Sequence, residues 1–280
     1  MIVSIGDLVT DIRIALQAAL EPEDDTPATF TVGGGGQAAN FCAWTAALGE
    51  LTRLVTRVGD DEAGHRLVSD LEGKGVEVRA VWAPEPTGTI AVLVSPDGRR
   101  TMATQRGASV GLSPDDLDES WFHDARLLHV PGYSLFVEPL ASAAQAAIRA
   151  VRDAGGMLAI DLSSSAGLRA FGPSRMAYVL ARLAPEVLFA TEAEAGTLGV
   201  PLESLAQVPV VKLGAEGCRV FGRIVSAPAV VAAIDATGAG DALAAAFCAA
   251  WLNGATPLEA AERGVQAASD SVLVAGARPG

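Results

Sequence analysis

The sequence predicts an α/β protein: a mostly parallel sheet covered by helices on both faces, with a small β flap attached. Two observations carry this expectation. Short apolar, β-branched runs alternate with Ala-rich helical stretches along most of the 280 residues, the pattern of strands buried on both faces and linked by helices. Two other segments instead alternate apolar and polar residues about a turn, the period of half-buried antiparallel strands. With 50% hydrophobic and 19% charged residues, the chain can bury a sizeable core and is not of disordered composition.

In order, MIVSI (1–5), stopped by Gly6, reads as a buried strand. Residues 11–32 alternate around an acidic EPEDD turn. Ala38 to Leu48 has apolar residues at helical spacing and Gly49 as its stop. LTRLVTRVG (51–59) reads as a strand, and Gly64 to Lys74 as a helix closed by Gly75. Residues 88–107 alternate about a PDG turn at 96–98. Strand–helix pairs follow in ARLLHVPG with PLASAAQAAIRAVRDAGG, and in MLAIDL with a short helical stretch before PEVLFA; PVVKLG comes next. VVAAI (230–234) reads as strand-like, and helices close the chain from about Ala239 to Asn253 and from Pro257 to about Val272. We expect one α/β domain over residues 1–280, with lid strands inserted from about 11–32 and 82–107, a type of attachment that excludes water from a cleft.

With 33 acidic against 20 basic residues, the net charge of −13 argues against a nucleic-acid binder, which needs clustered Lys and Arg. No apolar run reaches the roughly 18–20 residues of a membrane helix, and the N-terminus lacks a basic segment followed by a cleavable apolar one. A cytoplasmic protein with no membrane partner is expected. Cys42, Cys218 and Cys248 are far apart among apolar neighbours and read as buried free thiols. His129 in LLHVPG reads as structural, and no His or Cys spacing suggests zinc.

The sharpest chemical signal is Asp235-Ala-Thr-Gly-Ala-Gly-Asp241, a glycine-containing turn that opens a long apolar helix. The first N–H groups of a helix lack partners and carry the positive end of its dipole. Gly238 and Gly240 let a phosphate approach that backbone. Asp241 in the first turn could merely cap the helix; beside an anion-binding turn it is also placed to take a proton from a hydroxyl attacking phosphorus. Gly33-Gly-Gly-Gly36-Gln-Ala-Ala-Asn40 is a second signal. A glycine run alone could be a linker, but a helix and an Asn follow at once, as at a ligand-approach turn, and its spacing is not that of a dinucleotide fingerprint. Asp11 is either a turn former or an acceptor for two hydroxyls; spacing leaves the choice open.

On these motifs the chain resembles the PfkB (ribokinase-like) carbohydrate kinases. Residues 235–241 look like the second signature of that family. Gly35-Gly36-Gln37-Ala38-Ala39-Asn40 through Ala47-Leu48-Gly49, with Val58-Gly59-Asp60-Asp61-Glu62-Ala63-Gly64 beyond, looks like the first. GDLVTD, RGAS (106–109), LSPDDLD (112–118), VKLGAEG (211–217) and SVLVAGA (271–277) follow the family order. The resemblance implies ATP-dependent phosphorylation of a primary hydroxyl with Mg²⁺. Asp241 would be the catalytic base, and the N–H groups of Gly238, Ala239, Gly240 and Asp241 the anion hole. Asp11, Gly35, Gly36 and Asn40 match sugar-binding positions, and Lys212, Gly214 and Gly217 match the segment lining the nucleotide. Asp235 and Thr237 match positions near a monovalent cation, K⁺, in some members.

The departures are local. Thr191-Glu-Ala-Glu194 stands where the family carries Asn-x-x-Glu, so Glu194 would organise Mg²⁺ through water with Thr191 replacing the amide. Relatives often continue past the segment matching GARP with a Ser that helps bind the monovalent ion; here the sequence reaches Gly280, which weighs against potassium activation. Arg106 is either a flap surface residue or a cation for a sugar carboxylate or phosphate. The acceptor is expected to be a small sugar or sugar acid. The alternatives are a nucleoside, with Trp44, Phe30, Trp82 and Tyr133 as the aromatics on offer, or a non-catalytic sugar- or nucleotide-binding regulator. A homodimer through the flap is expected, because exposed flap edges need cover.

Overall fold

The computed structural model describes residues 1–228, 233–274 and 276–279. The chain runs β1 (Ile2–Ile5), β2 (Val9–Leu16), β3 (Ala28–Gly35), α1 (Gln37–Ala47), β4 (Thr52–Gly59), α2 (Glu62–Gly73), β5 (Val76–Ala83), β6 (Thr87–Val94) and β7 (Arg100–Gly107). It continues with β8 (Leu127–Pro131), α3 (Tyr133–Phe136), α4 (Leu140–Asp153), β9 (Met157–Asp161), α5 (Ser165–Phe171), α6 (Pro173–Leu183), β10 (Val187–Thr191) and α7 (Glu192–Leu198). It ends with β11 (Val208–Lys212), β12 (Cys218–Val220), β13 (Arg223–Val225), α8 (Ala239–Leu252) and α9 (Pro257–Ser271).

A nine-stranded sheet has the order β13-β12-β11-β10-β9-β8-β1-β4-β5. Its strands from β11 to β5 are parallel, and β12 and β13 are antiparallel at one edge. Its central strands are buried and mostly apolar, with Ser4, His129 and Thr191 the polar residues among β1, β8 and β10, as burial on both faces favours. One core, built on Phe41, Phe189 and Phe247, packs α1, α2, α8 and α9 against one face. The other, around Ile5, Leu128 and Ile160, packs α4, α6 and α7 against the opposite face. The expected helices and strands are recovered with ends shifted by a residue or two, because caps set them. Asp61, for example, accepts from Gly64 N at 2.7 Å, so α2 begins two residues before the expected Gly64. The strand-like run at 230–234 lies, through residues 230–232, outside the described residues.

The two alternating segments form a separate four-stranded sheet, β3-β2-β6-β7. Each is the antiparallel hairpin its period indicates, but the hairpins join through a parallel β2–β6 pairing. The expected lid span of 82–107 needs trimming. Trp82 and Ala83 pair with Val58 and Gly59 in the large sheet, and the small sheet resumes only at Thr87. Asp61 fastens this junction, accepting from Thr87 N at 2.8 Å and Thr87 Oγ1 at 2.6 Å.

His129 is structural, as expected. It is fully buried, bonded to Ser4 Oγ at 2.9 Å and stacked on Phe41 at 3.9 Å, and burial pushes its pKa down to about 3. The three cysteines are buried free thiols. Among the described residues no helix is long and apolar enough to cross a membrane.

Candidate active site

The carboxyl ends of β1, β8, β9, β10 and β11 lie side by side, and loops leaving strand ends of this kind form the ligand crevice of open α/β sheets. The turn 235–241 is among the segments gathered there. Asp235 Oδ1 accepts from Thr237 N at 2.9 Å and from Thr237 Oγ1 at 2.7 Å, which folds the chain back before α8. Gly238 sits at φ +79, and a Cβ there would lie 2.3 Å from Ala277 O, so only glycine fits. The first helical bond runs from Ala242 N to Gly238 O at 2.9 Å. Of the expected anion hole, Ala239 N turns back to Ala236 O at 3.4 Å, while Gly240 and Asp241 occupy the first helical turn, where N–H groups have no preceding carbonyl. Residues 237–241 are partly open to solvent rather than sealed in the core.

Asp241 Oδ2 accepts from Asn40 Nδ2 at 3.0 Å. Gln37, whose Oε1 accepts from Ser163 Oγ at 2.5 Å, presents its amide to the same carboxyl. Burial pushes the Asp241 pKa up to about 7; Asp161 adds to the rise, while Asn40, Lys212 and Gln37 oppose it. The group is therefore a carboxyl whose proton leaves near neutrality, the range in which a general base works best.

Lys212 stands beside this turn. Its Nζ is 2.6 Å from Asp161 Oδ2, and it would lie 3.3 Å from a Cβ at Gly240. Burial disfavours its charge, but Asp161 and Glu194 outweigh that and raise its pKa. Gly214 is open, with nothing within 4 Å of an added Cβ, whereas Gly217 is a packing glycine whose Cβ would lie 2.1 Å from Val225 O. Thr191 and Glu194 form a reciprocal cap on α7: Thr191 Oγ1 accepts from Glu194 N at 3.2 Å, and Glu194 Oε2 accepts from Thr191 N at 2.7 Å. Threonine thus keeps the capping role open to an Asn. Burial and then Asp161 raise the Glu194 pKa, an excess of negative charge that suits a nearby cation. Among the described residues no three His, Cys, Asp or Glu side chains cluster as a metal cage. Glu194, carrying this excess of negative charge, would fit a Mg²⁺ held through its waters.

Asp11 faces a cavity of about 70 Å³ also lined by Arg13, Thr31, Asp235 and Gly276. Its Oδ1 is buried with no partner, and burial, then Asp235, raises its pKa against Arg278. An orphaned buried oxygen is expensive unless a ligand hydroxyl completes it. Gly35 stands against Asp11, with its Cβ position 3.0 Å from that side chain, and a Cβ at Gly36 would lie 2.2 Å from Asp7 O. Arg106 is not a free cation: its Nε and Nη2 each lie 2.7 Å from an Asp7 oxygen, over the Tyr133 ring. Asp235 does not face an open ion site either, because Arg13 Nε from the small sheet lies 3.4 Å from its Oδ2. Arg100 of the same sheet donates to Thr237 Oγ1 at 2.8 Å. Burial opposes ionisation of Asp235, but bonds from Thr237 and Gly276 and the charge of Arg13 hold its pKa below the usual range.

Asp7, Gln37, Asp161, Ser163 and Arg278 join the site without having been singled out as site residues. Gln37 lay inside a motif, directly after the glycine run at the start of α1; Ser163, at φ +66, carries backbone strain that no sequence pattern displays.

The family model for "pfkB family carbohydrate kinase" matches residues 1–280. The chain belongs to the pfkB family of carbohydrate kinases. As a pfkB family member it is a phosphotransferase with an alcohol group as acceptor. It is 33% identical over 270 residues to a 2-dehydro-3-deoxygluconokinase of Thermoproteus tenax, covering 87% of this chain and 79% of that protein. It is 31% identical over 265 residues to an ATP-dependent ribose-1-phosphate kinase of Halopiger xanaduensis, covering 90% of this chain and 84% of that protein. The ribokinase-like fold is shared with an adenosine kinase of Sinorhizobium meliloti at a TM-score of 0.89 and 24% identity, covering 99% of this chain and 95% of that one.

Proposed function

We propose that this pfkB family member transfers the γ-phosphoryl group of ATP to a primary hydroxyl of a small sugar or sugar acid in the cytoplasm, as one domain whose four-stranded sheet is its lid. The observation that carries the reading is Asp241: a carboxyl brought to about 7 by burial, in the first turn of α8 and beside the glycine turn. In this reading Asp241 takes the acceptor proton as the oxygen attacks phosphorus. The Gly238, Gly240 and Asp241 N–H groups, with Lys212, hold the charge that develops on the phosphoryl oxygens. Mg²⁺ supplies neutralisation of the phosphate charge, and Glu194 is the residue placed to hold its water shell. Asp11 binds acceptor hydroxyls through its unpartnered Oδ1.

The aromatics favour a sugar over a nucleoside. Trp44 Nε1 is bonded to Ala277 O at 3.0 Å, and Trp82 stacks on His65 at 4.2 Å. Tyr133 lies beneath Arg106, and Phe30 is 64% exposed. None of these forms a base sandwich. Arg106 is neutralised by Asp7, and Arg13 in the cavity by Asp235, which favours a neutral polyol over a sugar acid; the Arg13–Asp235 pair also supports activity without K⁺.

The reading is tested by product formation over pentoses, hexoses, sugar acids and nucleosides with ATP and Mg²⁺, for the wild type and Asp241→Asn. Loss of the base should cost roughly 10²–10⁴ in rate; wild-type turnover by the variant refutes the assignment, and nucleotide binding without any product supports a mere binder. The homodimer proposal rests on Phe30, Val32, Ile12 and Ile14, which share one face of the lid by register, opposite to the face bearing Asp11 and Arg13. Phe30→Asp should shift sedimentation from dimer to monomer.

A further inference from the structure

We infer that Arg278 is a positioning residue for phosphoryl transfer: it fixes which way the Asn40 amide faces and, through Asn40, holds the Asp241 carboxyl in its working state. The inference rests on the kinase reading and deepens it. Arg278 follows α9 and returns into the molecule, with a side chain only 6% exposed. Its Nε donates to Asn40 Oδ1 at 3.0 Å and its Nη2 to Gly35 O at 2.8 Å, while Nη1 lies 3.4 Å from Asp70 Oδ2. A Cβ on Gly34 would sit 2.1 Å from Nη1, so part of the glycine run exists to admit this guanidinium. Burial brings the Arg278 pKa down to about 10, leaving it charged at neutral pH.

The argument is one of donors and acceptors. A guanidinium offers only N–H donors, and an ionised carboxylate offers only acceptors. Between them Asn40 has one satisfying orientation, Oδ1 toward Arg278 and Nδ2 toward Asp241, the orientation found. Without Arg278 the amide is free to turn over and present Oδ1 to Asp241. That contact repels the carboxylate and accepts from the protonated acid, so it holds the proton on the base. The other groups facing Asp241 do not depend on Arg278: Gln37 on α1, Asp161 at the end of β9, and Lys212 at the end of β11 with Glu194 beyond it.

The test is the titration of Asp241 followed by ¹³C-carboxyl NMR, assigned with Asp241→Asn, together with the acid limb of kcat, in wild type, Arg278→Met and Arg278→Lys. In Arg278→Met both midpoints should move up by about one pH unit, the scale of a lost hydrogen bond to a charged group. Arg278→Lys, whose ammonium is also donor-only, should lie closer to wild type. A folded Arg278→Met with both midpoints unmoved overturns the inference. If that variant does not fold, Arg278→Gln is read by the same criterion, since its amide accepts as well as donates. Product formation without the shift sinks this inference alone; the NMR shift without product from any acceptor sinks the kinase reading alone.

Discussion

Replacing Asp241 by Asn should stabilise the protein while disabling it, and the gain should grow with pH. The carboxyl has an ordinary value of 3.8 and is raised to about 7 in the folded chain. A raised carboxyl binds its proton more tightly folded than unfolded. Its stabilising contribution is therefore complete below pH 3.8 and is lost as pH climbs through 7. Relative to a neutral side chain, the folded state then bears a cost of about 2 kcal/mol at pH 5 and about 4 kcal/mol at pH 8.5. Both are upper bounds, because the turn is partly open to water and screening reduces them. The cost should thus widen by as much as roughly 2–3 kcal/mol between the two pH values. Urea unfolding of wild type and Asp241→Asn at pH 5 and pH 8.5 reads this directly, since most other titrations cancel between the two proteins. The same group should give wild-type kcat an acid limb near 7, falling about tenfold per unit below it. A stability difference that does not widen with pH, or an acid limb near 4, would show the carboxyl to be an ordinary helix-capping Asp.

Other perturbations test the surrounding parts. Lys212→Met leaves Asp161 buried and uncompensated, so it should lower stability by about 3–5 kcal/mol; combining it with Asp161→Asn should restore much of that in the same urea assay. Gly238→Ala places a Cβ 2.3 Å from Ala277 O at a positive φ, and it should reduce kcat far more than acceptor affinity, read by steady-state kinetics. Arg13→Gln removes the cation facing Asp235, and it should raise the acceptor KM and make activity respond to added K⁺, whereas wild type should not; kinetics in Na⁺ against K⁺ buffers decide it.

The two glycine-bearing motifs were legible because each marks a helix start, a local event that residue type and spacing can reveal. The general layering was legible for the same reason, since strand and helix periods are local. What escaped depends on register and long-range return. Lys212 meets Asp161 because β10 places β9 and β11 on either side of one strand, an order that no spacing encodes. Arg278 reaches Asn40 across 238 residues. Arg106 stayed open between a surface residue and a cation for a sugar anion because its partner, Asp7, lies in the turn between β1 and β2, far off in the chain. The parallel β2–β6 pairing was hidden because alternation identifies hairpins but not how two of them join.

The four-stranded sheet and the glycine turn before α8 are bolted together, since Arg13 and Arg100 rise from that sheet and grip Asp235 and Thr237. Under the proposed reading, raising that sheet as a lid to admit an acceptor would loosen the very residues that shape the turn in front of Asp241. Seating of the acceptor would thereby become a condition for a well-formed transfer site, disfavouring loss of the phosphoryl group to water while the pocket stands vacant.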